Sequence, residues 1–555
     1  MADSTDMDSD GSDIEVDLNN EFDTNTSNLN EENGEDGFEC QQRTDDEWFR
    51  GFFESDGEHD EFEGFDVEWK TSNFDERNER TYSEIGGSTF VHPEDALPHN
   101  YFELIWGQDL WQHMVTETNR YAEQERTRNP PPPFAPRWVP VDIPAMKAFI
   151  GLCFCMGVLR LPSRNDYWRV KKRMFRTAFN TIMPRDKFNL IWRYLHLTNN
   201  DAPPPARPDK LKKIRWFLNY LNDKFKAMYT PYKHVTVDES MVKFKGRLGF
   251  RQYMPLKPTK WGIKVWTLTE SETGYIHQFQ VYTGKEENQE KGLSHRVVTD
   301  LIGHLNHTNI RVFMDNYYTS PALLTDLHMR GVYACGTVRN NRKGLPTALL
   351  PRNVMLDKHE FLVAQKDELS CCIWQDTKCV MVLSNFHSPN DMGTVNRRSG
   401  NPTQQSVEVP KMLADYQKFM KGVDLSDQMI GYHIINHRSR KWWRRLFFHF
   451  MMGSALNAYI IAKDSNPETV GREWPNIQDF VDYCAGKDAP ILDTARPARV
   501  HTMERLFEKE KVCVECRAKA NRGERVGTSK FGCVECNVPV HHQCFPAHIN
   551  RANKL

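Results

Sequence analysis

Basic residues are nearly missing from one end of this chain. Residues 1–70 carry 3 Lys/Arg against 25 Asp/Glu. A stretch so acidic and polar buries too little apolar surface to offset its chain entropy, so disorder is expected over residues 1–95. Long apolar runs are also missing. The longest, "LFFHFMMGSALNAYIIA" (446–462), is interrupted by His449 and Asn457. It is too short and too polar for a membrane span, and no membrane partner is expected. The acidic start does not read as a secretory signal. Cysteine is sparse until the end: of 13, five fall in the last 43 residues. That clustering argues against a disulfide framework and for metal binding in a reducing compartment.

The remaining 485 residues hold 69 Lys/Arg and 50 Asp/Glu, so a formal net charge of −3 conceals a basic body with an acidic arm. Such a body suits a polyanion. After a proline spacer, "NPPPPFAPRWVP", and several helical patterns, the periodicity changes at "HVTVDESMVKFKGR" (234–247). Val235 and Val237 alternate as in a strand that Asp238 closes. A hairpin follows, "KWGIKVWTLTE" and "YIHQFQVYTG", then a helix, "SHRVVTDLIGHLNH". A buried-looking strand, "IRVFMDNYYTS", then ends at Asp315. Further on, "ADYQKFMKGVDLSDQM" places Asp424 and Asp427 on one face of a helix start.

Carboxylates at two strand ends and one helix start form an all-oxygen pocket. That pocket suits two Mg²⁺ or Mn²⁺ ions, provided the two strands lie side by side. Two such ions about 4 Å apart activate water or a hydroxyl and stabilise the leaving oxygen of a phosphodiester. Either Asp424 or Asp427 fits as the third ligand. Lys243, Lys245, Arg247, Lys257 and Lys260 stand ready to neutralise flanking phosphates. "HRSRKWWRRLFFHF" is a second DNA-contact candidate, through Arg438, Arg440, Lys441, Trp442, Trp443, Arg444 and Arg445. Its alternative is an amphipathic helix with the tryptophans in the core.

The tail holds Cys513-x2-Cys516 and Cys533-x2-Cys536, 16 residues apart, then His541, His542, Cys544 and His548. Paired thiolate knuckles are a zinc signature. Either the four knuckle thiolates hold one Zn²⁺, or the histidines and Cys544 complete two interleaved sites, with one of His541 and His542 ligating.

"MGVLRLPSRNDYW", "RDKFNLIWRYLHLTNN", "TVDESMVKFKGRLGFRQYMPLKPTKWGIKVW", "VFMDNYYTSPALLTDL", "CGTVRNNRKGLP" and "DYQKFMKGVDLSDQM" together resemble the piggyBac family of DNA transposases. The resemblance runs from about residue 100 to the C-terminus and includes the cysteine-rich tail. It implies an α/β RNase H-like catalytic core, a mixed sheet with helices, interrupted by a β-rich insertion. Helical DNA-binding and dimerisation regions would flank that core, with a zinc-binding cysteine-rich domain at the C-terminus. The boundaries expected are 1–95 for the disordered acidic region and 96–230 for the first helical region. The core would occupy 231–335 and 413–462 around an insertion at 336–412, followed by a helical linker at 463–507 and the zinc domain at 508–555. Carried over, the DDD triad falls on Asp238, Asp315 and Asp424, with Asp427 an additional acid beside it. The implied activity is cut-and-paste transposition of double-stranded DNA, from terminal inverted repeats through hairpin ends to TTAA targets, by a homodimer in the nucleus. A host-domesticated relative that binds DNA or chromatin without cutting is the alternative.

Overall fold

The computed structural model describes residues 69–552, less 78–79, 91–95, 132–135, 170–178, 204–207, 256, 285–291, 399–403, 436–438, 486–502, 521–525, 534–535 and 537. Residues 1–68 of the acidic region expected at 1–95 lie outside the described residues, as does Arg438.

The central feature is a nine-stranded mixed sheet. Its strands are β1 (His234–Lys243), β2 (Gln252–Tyr253), β3 (Trp261–Glu270), β4 (Ile276–Val281), β5 (Arg311–Met314), β6 (Tyr333–Thr337), β7 (Phe361–Lys366), β8 (Leu369–Gln375) and β9 (Cys379–Ser384). They run in the order β2-β3-β1-β5-β6-β9-β8-β7, with β4 also paired to β3. β5 lies parallel to both β1 and β6, while β3 is antiparallel to β1. The expected juxtaposition of the first and fourth long strands is therefore present.

Parallel neighbours need a crossover, and helices supply it. The longer helices described before the sheet include α1 (Pro98–Ile105), α2 (Gln108–Arg128), α3 (Ile143–Val158), α4 (Arg185–Tyr194) and α5 (Arg215–Met228). Within the sheet region, α6 (Leu293–Ile302) and α7 (Pro321–Met329) connect β4 to β5 and β5 to β6. Val297, Val298, Leu301, Leu323, Leu324 and Leu327 pack with Val235, Val237, Val312 and Met314 in one core. The valines of β1 thus serve packing, as their alternation predicts. After the sheet come α8 (Lys411–Phe419), α9 (Gly422–His433) and α10 (Trp442–Ser465). α10 joins α1, α3 and α5 in the second, larger core. It is buried on almost every side, which explains its long apolar run. Asn457, an interruption in that run, clamps β4: its Oδ1 accepts from Ile276 N and its Nδ2 donates to Ile276 O, both at 2.8 Å. No helix among the described residues is long and apolar enough to cross a membrane.

Three boundaries differ from expectation. Residues 69–77 and 80–90, placed with the acidic region, lie along the body instead. Lys70 bridges Gln365, Tyr82 Oη donates to Pro231 O at 2.6 Å, and Gly87–Ser88 pairs with Tyr229–Thr230. Backbone pairing and aromatic anchors hold this segment despite its polar composition. Strands occupy much of the segment 336–412 expected to be an insertion, but β7, β8 and β9 extend the central sheet through the β6–β9 pairing. Met392–Arg398 and Gln404–Pro410 pair with each other apart from that sheet. Finally, β1 does not stop at Asp238. Its antiparallel ladder with β3 continues to Lys243, because Ser240 and Val242 keep finding partners there.

Candidate active site

The acidic site follows from register. The β1–β5 parallel ladder pairs His234 with Arg311 and ends at Val237 with Met314. The next residue on each strand is an aspartate. Asp238 and Asp315 therefore emerge side by side where β5 leaves the sheet, while β3 continues to hold β1. One carboxylate oxygen from each, and one from Glu239, lie within 4.8 Å of one another. The Asp315 loop is pinned by Tyr317 N donating to Oδ1 at 2.9 Å and Thr319 Oγ1 donating to its carbonyl at 2.8 Å.

Glu239 belongs to this cluster although strand alternation assigns it to the face opposite Asp238. Tyr318 Oη donates to its Oε2 at 2.9 Å, and Lys264 Nζ stands 3.4 Å from its Oε1. The signal in the sequence was the Asp-Glu pair itself, but alternation argued against sharing one pocket.

Asp424 and Asp427 occupy the first turns of α9, as expected. They lie outside the tightest carboxylate group but within its field. The Asp424 charge raises the Asp238 pKa, and both acids raise that of Lys257. Two contacts seat the junction of α8 and α9. Thr236 Oγ1 on β1 donates to Phe419 O at 2.7 Å. Gly422 presses on the sheet, where a Cβ would lie 2.6 Å from Thr269 Oγ1 and 2.8 Å from Glu270 O.

The electrostatics are those of crowded acids. Desolvation pushes Asp238 well above the carboxylate range; Lys257 opposes this, and Glu239, Asp315 and Asp424 add to it. Desolvation, with the Glu239 charge, lifts Asp315 to about 6. Asp427 rises to about 7 through desolvation, against a hydrogen bond with Ser240 and the Lys257 charge. Glu239 is the exception: burial opposes its ionisation, but Lys264, Lys257 and Tyr318 outweigh burial and lower its pKa.

Lys257 is the main counter-charge. Its Nζ lies 3.6 Å from Asp238 Oδ2 and donates to Glu239 O at 3.1 Å. Expected as a phosphate contact, it instead reaches into the acid cluster, which raises its pKa further. The donor set fits divalent cations: the oxygens are hard, three converge, and an ammonium group compensates their charge.

The other basic residues separate by burial. Lys243, Lys245, Arg247, Lys260 and Arg440 are exposed. Trp443 and Arg444 are buried, so their expected DNA contact is corrected: Arg444 Nη2 donates to Trp192 O at 2.6 Å and to Arg193 O at 3.0 Å. The end of α4 supplies carbonyls that attract this cation. Arg445 Nε donates to Lys243 O at 2.9 Å, and Trp442 meets Phe250 edge to face. Lys441 is half-buried, with its Nζ 5.7 Å from the Tyr121 ring centroid.

In the tail, all seven expected ligands converge, in two groups. Cys513, Cys516, His541 and Cys544 form one; Cys533, Cys536 and His548 form the other. The knuckles thus serve different groups, against the alternative of one ion held by four knuckle thiolates. His541 Nε2 donates to Thr528 O at 2.7 Å while Nδ1 faces Cys516 Sγ at 3.2 Å. That contact fixes the tautomer that offers Nδ1 as a ligand. Burial disfavours the Cys513 thiolate, but backbone N–H groups of Cys516, His541 and Glu515 outweigh it and hold the thiol at about 7. A thiol so lowered suits metal binding.

Comparison with known proteins gives the family and the fold. A family model described as Transposase IS4 matches residues 97–459. The human PiggyBac transposable element-derived protein 3 is 27% identical over 492 residues, covering 84% of this chain and 79% of that protein. The human PiggyBac transposable element-derived protein 2 is 26% identical over 374 residues, covering 66% of this chain and 61% of that one. A cryo-EM structure of a piggyBac transposase synaptic complex with hairpin DNA aligns with a TM-score of 0.63 at 22% identity. That alignment covers 72% of this chain and 82% of the other, a likeness of fold. With acids converging at the end of a parallel ladder and a transposase family model spanning both strands and the helix above them, the chain belongs to the piggyBac-type branch of the IS4 transposase family.

Proposed function

We propose that the chain is a cut-and-paste DNA transposase with an RNase H-like core. The observation that carries this reading is the meeting of Asp238, Glu239 and Asp315 where the β1–β5 ladder ends, in a chain of this family. Asp238, Asp315 and one of Asp424 and Asp427 are the residues to hold two Mg²⁺ or Mn²⁺ ions. When bound, such ions activate an attacking oxygen and stabilise the leaving one.

The chain's own residues do the rest. Tyr317 N and Thr319 hold the Asp315 loop rigid. Tyr318 and Lys264 keep Glu239 ionised. Exposed Lys243, Lys245, Arg247, Lys260 and Arg440 position the duplex by its phosphates. The reaction is hydrolysis at each element end and attack of the freed 3′-hydroxyl on the opposite strand. The resulting hairpin is reopened, and the end is joined at TTAA. The enzyme acts as a homodimer in the nucleus, with two Zn²⁺ ions shaping the tail for recognition of the inverted repeats.

The test is excision of a reporter flanked by the element's own ends, with Mg²⁺. Asp315→Ala is expected to abolish cleavage while end binding persists; normal cutting by this variant rejects the site. A second reading, a domesticated DNA-binding protein without cleavage, is favoured by the relatives named as transposable element-derived proteins. It predicts end binding with no cut product from the wild-type chain.

A further inference from the structure

The turn joining β2 to β3 has two ends of opposite character. At its tip, Lys257 enters the acid cluster, 3.6 Å from Asp238. At its base, Tyr253 and Trp261 form a cross-strand pair with ring centroids 4.6 Å apart. Both aromatics are exposed, at 51% and 40% of their surface. The turn between them is short and internally bonded: Met254 N donates to Lys260 O at 2.8 Å and Lys257 N to Met254 O at 3.3 Å. The acid-cluster lysine and the aromatic pair therefore belong to one stiff unit.

The surroundings of the pair are cationic. The Arg251 guanidinium lies 4.3 Å from the Trp261 ring centroid. Arg251 Nη1 also donates to Lys245 O at 2.9 Å and Gly246 O at 3.1 Å, tying the exposed Lys245–Arg247 loop to the same ledge. Lys260 is exposed beside Trp261. Exposed aromatic rings set among basic side chains match a base and its phosphate together. An apolar protein partner would not call for such a density of cations.

We propose that the Tyr253–Trp261–Arg251 ledge is a stacking site for an unpaired nucleotide next to the phosphate presented to the acid cluster. This inference rests on the DNA-cutting reading above and adds a substrate form to it. In that reading a freed strand end attacks its opposite strand, and the two strands approach that closely only after neighbouring bases leave the stack. A base leaving the duplex loses stacking energy that an aromatic platform returns. Because every base has a π face, the ledge is sequence-tolerant and leaves recognition of the ends to other surfaces.

The test is binding of two fluorescein-labelled duplexes by the full chain, in metal-free buffer so that nothing is cut. One duplex is fully paired; the other carries a few unpaired nucleotides at a central nick, including one 2-aminopurine. Wild type is expected to bind the unpaired form more tightly and to quench its 2-aminopurine. Trp261→Ala is expected to lose about tenfold in affinity for the unpaired form and less than about twofold for the paired one. Trp261→Phe should retain most of the preference and the quench, separating a stacking role from a folding one. Equal losses on both duplexes, or an unchanged preference in Trp261→Ala and Tyr253→Ala, overturn the ledge. If wild type binds neither duplex, the DNA-cutting reading itself falls, and the ledge with it.

Discussion

Lys257→Met asks what the half-buried ammonium does. Its Nζ stands 3.6 Å from Asp238, and Asp424, Glu239 and Asp427 add to the field that holds its proton. At an effective dielectric constant near 20, one such pair is worth roughly 4–5 kcal/mol of Coulomb attraction before desolvation is subtracted. Removing one partner of a buried pair typically costs about 3–5 kcal/mol, because the other charge is stranded. Methionine keeps the chain length and removes the charge. The metal-free variant should therefore unfold at a clearly lower temperature than wild type. A divalent cation supplies the missing charge to the same carboxylates. Saturating Mn²⁺ should thus raise the variant's melting temperature more than the wild type's, and free Mn²⁺ measured by electron paramagnetic resonance should show tighter binding to the variant. Lys260→Met, at an exposed position three residues on, is the control and should stay within about 0.5 kcal/mol of wild type. Equal Mn²⁺-induced shifts in wild type and Lys257→Met would refute the idea that lysine and metal compete for one acid cluster.

Gly422→Ala should abolish excision while the chain stays folded, because its Cβ would meet Thr269 Oγ1 and Glu270 O and lift the Asp424 turn from the sheet. Gly471→Ala, where a Cβ meets nothing within 4 Å, should cut normally. With metal chelated, stability to urea should fall between about pH 4 and pH 7: Asp315 and Asp427 keep protons to about 6 and about 7 in the fold, so the folded state binds more protons than the unfolded one in that window. Mg²⁺ affinity should rise over the same interval, with proton release measurable by calorimetry in buffers of different ionisation enthalpy; a flat profile contradicts the assigned acids. Cys516→Ser and Cys533→Ser should each lower zinc content, seen by native mass spectrometry, by one ion per chain and not by two, since they belong to different ligand groups.

What could be read from the sequence divides by distance along the chain. The two CxxC pairs of the tail were legible because each is local, and a CxxC turn brings its own thiolates together. The long valine-rich strands and the helix carrying Val297, Val298 and Leu301 were legible from periodicity. Asp238 and Asp315 could be nominated but not joined, because a parallel pairing between residues 77 positions apart leaves no mark in either strand. Trp443 and Arg444 show the converse. Interleaved Arg and Trp satisfy a nucleic-acid surface and a buried helix face equally well. The decision came from the carbonyls at the end of α4, which no pattern near residue 444 discloses.

Glu239 carries the argument one step further. Alternation sends neighbouring strand residues to opposite faces, and that rule holds wherever the strand has a partner on each side. β1 loses its β5 neighbour after Val237 and keeps β3 to Lys243. Beyond that point one edge of the strand is open. A side chain bound for the far face, if held by Tyr318 and Lys264, can share the opening with its neighbour. The site therefore depends less on aspartates at strand ends than on one strand outlasting its parallel partner by several residues. That asymmetry gathers three acids into one opening, leaves the facing helix to bring Asp424 and Asp427, and gives Lys257 a pocket to enter.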